Sequence, residues 1–278
     1  MRLPAVTVAF PCLNESETID MALRSVFRQT HPPESVIIAD GGSTDGTLDK
    51  IEEWKAKLPI KLITNDQKRQ GPGLNLCIQE NTTEYLARLD GHSSWNERYL
   101  EILVGFLADN PAYAAAGGTV RIDPTASMLQ RDIWTVMKHP LGTGAPDYRT
   151  AQQTRDVQTI QSPVYRQEAL EEVGGFLETV PWAEDDELHQ RLKNRQWKLR
   201  LLPEAELYYQ PRQTSFGFMT QCLNYGKGRG TLGRRKIFPS DRHRKIDRVL
   251  NFWTLGLAWN PIGWGLFLFY LMVVFFIT

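Results

Sequence analysis

The first hundred residues switch between two hydrophobic periods. Residues 5–10 form a nearly continuous apolar run of strand length, closed by Pro11. Ile19, Leu23, Val26 and Phe27 then recur at the three-and-four spacing of a helix with one buried face. Asn14, with Glu17 three residues on, has the pattern of a capping box that would start this helix. Residues 36–39 read as a second strand. It ends in the turn-rich loop Asp40-Gly41-Gly42-Ser43-Thr44-Asp45-Gly46, which leads into a helix over 47–57. A third strand is expected at 60–64, a short helix at 74–78, and a fourth strand at 85–89 that ends at Asp90. Regular alternation of strand and helix predicts an α/β fold with a mostly parallel sheet covered on both faces. Such sheets bind ligands beyond the carboxyl ends of their strands. The turn from Pro11 to Glu15, Asp40 and Asp90 therefore converge on one crevice.

Beyond residue 100 the pattern is less regular. Residues 139–156, rich in Gly, Pro and Thr, read as a mobile loop, 183–193 as a helix, and 198–202 and 206–209 as two short strands. Near the end the chain changes character. Residues 227–248 hold nine Lys or Arg against only Asp241 and Asp247, and residues 252–278 hold no charge at all. A spanning helix needs roughly 20 apolar residues, and the break at Asn260-Pro261 leaves about 17, the short end of that range. The stretch is expected to span the bilayer, to lie in its interface, or to form a buried core helix. Arg234, Arg235, Lys236, Arg242, Arg244, Lys245 and Arg248 directly precede it, and cytoplasmic flanks of membrane segments carry such an excess. The expectation is a cell-membrane (inner-membrane) protein with its globular part in the cytoplasm. The division expected is an α/β domain over 1–211 and a basic, membrane-associating helical region over 212–278.

Composition narrows the class only modestly. With 42% hydrophobic and 23% charged residues the chain is an ordinary globular one, and its zero net charge gives no reason to expect a nucleic-acid partner. Cys12, Cys77 and Cys222 are scattered and odd in number, which suits a reducing compartment better than a disulfide framework.

Three polar constellations carry candidate chemistry. Asp90-Gly91-His92, at the end of a buried strand, offers hard oxygen and imidazole ligands for Mg²⁺ or Mn²⁺, the imidazole favouring Mn²⁺; the bland alternative is an Asp-Gly turn. Glu184-Asp185-Asp186-Glu187 places four acids at a helix start, where mutual repulsion raises at least one pKa and suits Asp185 to act as a base. A solvated acidic first turn is its structural alternative. Asp40 can accept a hydrogen bond from a nucleotide base, with Pro11 and the backbone of Leu13 and Glu15 beside it; a plain strand-to-helix connection would look the same. No G-x-G-x-x-G and no Walker lysine loop is present, which argues against dinucleotide and P-loop chemistry.

Taken in order, residues 6–15 (VTVAFPCLNE), 39–47 (ADGGSTDGT), 89–92 (LDGH) and 183–188 (AEDDEL) resemble family 2 glycosyltransferases, over roughly residues 5–235. Within that family the chain looks most like succinoglycan-type exopolysaccharide glucosyltransferases, through its Asp-x-His motif, the loop at 139–144 and the segment Gln221 to Arg229. The resemblance implies a GT-A (Rossmann-like) fold, inversion at the anomeric carbon, a UDP-sugar donor and a lipid-linked oligosaccharide acceptor. It implies that Asp40 reads uracil and that Asp90 and His92 hold the metal. Asp185 would be the base, with Glu184 beside it, and Lys227 and Arg229 would approach a diphosphate. The metal motif lacks the family's usual second aspartate. Three rivals stand beside this reading: a polyprenyl-phosphate hexosyltransferase, a catalytically inactive nucleotide-binding scaffold, and a nucleotidyltransferase. The last is disfavoured because residues 10–14 contain no glycine.

Overall fold

The opening apolar run forms β1 (Val6–Cys12), buried without a break from Val6 to Phe10. Its side chains alternate between faces, as a pleated strand requires. Val6, Val8 and Phe10 enter one core cluster, while Ala9 enters another with Ile37, Ala39, Leu74 and Leu188. After β1 come α1 (Ile19–Phe27), β2 (Ser35–Asp40), α2 (Thr47–Lys55), β3 (Ile60–Thr64), α3 (Gln70–Glu80) and β4 (Tyr85–Arg88). Strands β3, β2, β1 and β4 lie side by side in that order and all run parallel. The carboxyl ends of β1, β2 and β4 thus open along one edge. The structure, a computed structural model, describes residues 3–139, 146–180 and 182–234.

The remaining elements are β5 (Ser93–Trp95), α4 (Tyr99–Asp109), β6 (Tyr113–Ile122), α5 (Met128–Lys138), α6 (Asp147–Thr150), β7 (Arg155–Asp156), β8 (Val164–Arg166), α7 (Gln167–Glu172), α8 (Glu184–Asn194), β9 (Lys198–Tyr209) and α9 (Ser215–Arg234). They complete the sheet in mixed orientation. β8 runs antiparallel to both β4 and β6, β6 runs parallel to β9, and β5 and β7 pair antiparallel with β9. The result is an α/β sheet, parallel through its first half and mixed beyond it, flanked by helices.

Several local expectations need correction. Asn14 and Glu17 form no capping box: α1 begins at Ile19, and its cap residue Thr18 makes no side-chain capping bond. Asn14 instead adopts a left-handed φ of 53° and ties two loops together. Its amide N–H donates to Ser43 Oγ at 2.9 Å, and its Oδ1 accepts from the Thr44 amide at 2.9 Å. A true capping box closes α5, between Ser127 and Gln130. The two short strands at 198–202 and 206–209 are one strand. In β9 the partner register jumps from Leu202 to Glu206 while β6 advances only from Gly118 to Thr119, so Pro203, Glu204 and Ala205 form a bulge. Gly118 makes room for this, since a Cβ there would sit 1.8 Å from the Ala205 carbonyl oxygen. Within the expected loop over 139–156, α6 and β7 are regular, and residues 140–145 lie outside the described residues.

Among the described residues no helix is long and apolar enough to cross a membrane. Residues 235–278, with the apolar stretch and most of the basic run, lie outside the described residues.

Candidate active site

At the end of β4 a guanidinium and two carboxylates are buried together. Arg88 Nε donates to Asp90 Oδ1 at 3.1 Å, and Arg88 Nη2 donates to Glu184 Oε1 at 3.3 Å, all three residues being at most 6% exposed. Gln70 Nε2, from the first turn of α3, also donates to Asp90 Oδ1 at 2.9 Å. Asp90 Oδ2 takes no hydrogen bond among the described residues. Burial alone would raise the Asp90 pKa, but the charges of Arg88 and His92 and the two hydrogen bonds outweigh it and hold this carboxyl below its usual range. The ion pair thus keeps Asp90 ionised, with one oxygen directed elsewhere.

The acidic run on α8 is divided by helical geometry. Glu184 and Glu187 turn inward, Glu184 to Arg88 and Glu187 to Arg191, which grips both carboxylate oxygens at 2.7 and 2.6 Å. Asp185 and Asp186 are half-buried and line a cavity of about 640 Å³ together with Asp90 and His92. One oxygen of Asp185 accepts from the Asp186 amide at 2.9 Å. The raised pKa expected somewhere in this cluster falls on Glu184: burial and then the neighbouring Asp185 charge push it upward, against the pull of Arg88. Ala183, at φ 61°, sits in the left-handed region directly before these acids. Lys68, at φ 54°, and Asn14 are strained in the same way, so three non-glycine residues in a sparsely populated conformation border the site.

Behind the acids lies a neutral pair. Tyr165 OH and His189 Nε2 are 2.9 Å apart, and His189 Nδ1 is 3.0 Å from Thr159 Oγ1. Burial, reinforced by the charges of Arg88 and Lys193, lowers the His189 pKa to about 3.

A second, smaller cavity of about 170 Å³ adjoins the first, sharing Lys68, Arg69, Gln70, Asp90 and His92 with it. Pro11, Leu13 and Glu15 line it. The backbone amide of Glu15 is not available, however, because it donates to Thr47 Oγ1 at 2.9 Å. Its side chain lies against the metal motif, so close that a Cβ on Gly91 would stand 2.6 Å from Glu15 Cδ.

Asp40 is placed differently from the expectation. Its Oδ2 accepts from the amides of Gly42 and Ser43 at 2.8 and 3.0 Å, and its Oδ1 from Ser43 Oγ at 2.5 Å. Both oxygens therefore build its own loop, and Asp40 lines neither cavity. Gly41 abuts the Cα of Lys68 rather than open pocket. Asn65, missed in the sequence, lines the small cavity, and its buried Oδ1 has no hydrogen-bond partner among the described residues. Lys68 and Arg69, likewise missed, put two cations where the cavities meet. No spacing motif marks these three, because a loop after β3 brings them in.

Lys227 is exposed and stacks at 5.4 Å over the ring of Trp182, which lines the large cavity, while Lys227 itself lines neither cavity. The side chain of Arg229 lies outside the described residues.

No cluster of three or more metal-ligating side chains occurs among the described residues. Mg²⁺ and Mn²⁺ sites that share the ion with substrate phosphates need only one or two protein ligands. Asp90, with Oδ2 unengaged, and His92, lining the same cavities, fit that requirement.

Comparison with known proteins places this arrangement. The succinoglycan biosynthesis protein ExoA of Rhizobium meliloti (strain 1021) is 29% identical over 93% of this chain and 76% of its own length. Among solved structures, the mannosyltransferase PcManGT of Pyrobaculum calidifontis, in complex with GDP-Man and Mn²⁺, superposes with a TM-score of 0.62 at 21% identity over 81% of this chain. TarS 1-349 of S. aureus, in complex with UDP-GlcNAc, gives 0.61 at 18% identity over 78%. The chain spans 62% and 61% of the length of these two structures, and the likeness shows a GT-A-type fold. Residues 7–174, more than half of the sequence and including the Asp90 motif, match Glycosyl transferase family 2, and the chain belongs to that family.

Proposed function

We propose that the chain is an inverting glycosyltransferase that moves a hexose, glucose by resemblance, from a UDP-sugar to a lipid-linked oligosaccharide during surface polysaccharide synthesis. The observation that carries this reading is the half-buried Asp185 carboxylate facing the same cavity as Asp90 and His92. Asp185 accepts the proton of an acceptor hydroxyl, whose oxygen attacks the anomeric carbon as the bond to UDP breaks. Lys68 and Arg69 face the departing diphosphate and offset its charge. A divalent ion held by Asp90 and His92 supplies further neutralisation of that diphosphate. Arg88 anchors Asp90 and Glu184, so donor site and acid helix keep a fixed relation. The succinoglycan relative supports a polysaccharide product, and the UDP-GlcNAc bound by TarS supports a UDP-sugar donor.

Membrane attachment belongs to the same reading. On α9, Phe216, Met219 and Leu223 are 79%, 63% and 64% exposed, at spacings that put them on one helical face. The basic and apolar segments follow α9 in sequence, so this face suits the lipid interface, with the catalytic domain on the cytoplasmic side. The test is transfer of radiolabelled sugar from UDP-glucose into a lipid-extractable product by membranes containing the chain. Asp185→Asn abolishes transfer and leaves UDP binding intact. Transfer that survives the substitution would favour an already ionised phosphate acceptor, and loss of both activities would make Asp185 structural.

A further inference from the structure

One indole borders the large cavity beside the proposed base. Trp182 is half-buried and lines that cavity with Asp185, but it does not line the small cavity, where Pro11, Leu13 and Glu15 lie. Lys68, Arg69, Asp90 and His92, the groups assigned to the donor, line both. The ring therefore belongs to the acid side of the site. Trp182 and Asp185 are three residues apart, so their Cα atoms lie within about 11 Å of each other. Between them Ala183 turns the chain with φ 61°, and α8 begins at Glu184.

Two consecutive residues of α9 hold this indole in place. The ammonium of Lys227 stands over the ring, 5.4 Å from its centroid, where it is attracted by the electron density of the face. Gly228 is buried against the Trp182 backbone: a Cβ there would stand 2.9 Å from the Trp182 carbonyl oxygen and 3.0 Å from its Cβ. Only glycine lets the helix approach so closely. The phenols of the cavity are engaged elsewhere. Gln221 Nε2 donates to the hydroxyls of Tyr209 and Tyr225 at 3.1 and 3.0 Å, and Tyr148 lies against the Arg149 guanidinium.

Such an indole suits a sugar ring. A pyranose whose substituents are all equatorial has only axial C–H bonds on each face, so its faces are apolar and its rim is polar. The face of an aromatic ring carries negative charge density and attracts those hydrogens. Ligand sites pair walls of this kind with a few placed polar groups, and here the polar group beside the wall is Asp185.

Resting on the glycosyltransferase reading, we propose that Trp182 is the platform on which the acceptor's terminal sugar stacks, and that it selects a gluco-configured pyranose. The stacked ring turns its polar rim toward Asp185, the base for its hydroxyl. Trp182 thus determines which sugar is extended, and Lys227 and Gly228 fix the plane in which that sugar lies.

The test is saturation-transfer NMR on the full chain with UDP and Mg²⁺, irradiating aromatic protons of the protein. The probes are methyl β-glucoside and sorbitol, which offers similar hydroxyls without a ring face. UDP binding is measured first by calorimetry; its absence from the wild type would count against the glycosyltransferase reading and not against the platform. The expected result is saturation of the axial protons of one face of the glucoside, and none of sorbitol. Trp182→Ala removes the face preference and weakens glucoside binding about two- to tenfold, the range for one aromatic contact, with UDP affinity unchanged. Trp182→Phe keeps the preference. Gly228→Ala, which displaces the Trp182 backbone, weakens glucoside binding in the same way as Trp182→Ala. In the wild type, no saturation of the glucoside, saturation spread evenly over its protons, or equal saturation of sorbitol overturns the proposal without recourse to any variant. So does a face preference that survives Trp182→Ala, or a loss of UDP affinity in that variant, which would put the indole on the donor.

Discussion

Glu184 in the cavity wall and His189 behind it are both buried, and their protonation pulls stability in opposite directions. With its pKa lowered to about 3, His189 stays neutral in the fold while the unfolded chain takes up a proton below about pH 6.5. The unfolded state then binds more protons, so this contribution to stability is lost as pH falls from 6.5 toward 3. Glu184, raised, holds its proton in the fold above the pH at which the unfolded chain releases it, so its contribution falls as pH rises from about 4.5. The two oppose each other between those values. Replacing His189 removes one side. Thermal midpoints of His189→Gln should fall less steeply than those of the wild type as pH is lowered from 7 to 4.5. Parallel curves would mean that the ring is not kept neutral by burial. At this scale the sequence disclosed which residue types gather at the site but not their assignments. Four adjacent acids looked alike until helix geometry sent Glu184 to Arg88, Glu187 to Arg191, and Asp185 and Asp186 to the cavity. The loop bonds of Asp40 were not legible for a related reason: an aspartate before two glycines can serve its own loop as well as a ligand.

Elements were legible where the hydrophobic period was clean. β1, β2, β3 and β4, with α1 and α2, lie close to their expected positions, whereas α3, expected over 74–78, begins four residues earlier at Gln70 through Gly71, Pro72 and Gly73, residues that carry no helical signal. The middle of the chain gave no such signal. β6 carries Ala114, Ala115, Ala116, Gly117 and Gly118, residues poor in strand propensity, and it forms because β9 and β8 hold it on both sides. Gly118 in particular answers a tertiary need, the close approach of the β9 bulge at Ala205. Gly118→Ala should therefore cost at least the ~1–3 kcal/mol typical of an overpacked interior. Denaturant titration measures this, and an unchanged midpoint would mean that the bulge can move aside. The exposed stripe of α9 is the part of the described structure on which the proposed membrane attachment depends. Replacing Phe216, Met219 and Leu223 together by Ser should weaken sedimentation with anionic lipid vesicles while leaving UDP binding as it was. Undiminished sedimentation would assign attachment to the segments beyond residue 234 alone.

At the scale of the molecule, the arrangement is a parallel half-sheet whose strand ends border the small cavity, joined to a mixed half-sheet and α8 that bring up the acids. Arg88 is the buried link between the two, bonded to Asp90 on one side and Glu184 on the other. The four motifs that carried the family resemblance lie on both halves, which is why family and fold could be read early. The cationic residues Lys68, Arg69 and Arg149 could not, because only the folded chain gathers them around one cavity. The central claim is that this cavity is a metal-assisted UDP-sugar site built on Asp90. Calorimetric titration of the full chain with UDP, with and without Mn²⁺, on wild type and Asp90→Ala tests it most directly. Binding that requires the metal in the wild type and vanishes in Asp90→Ala is the predicted result. No UDP binding with Mn²⁺ present, or binding indifferent to both the metal and the substitution, would contradict it.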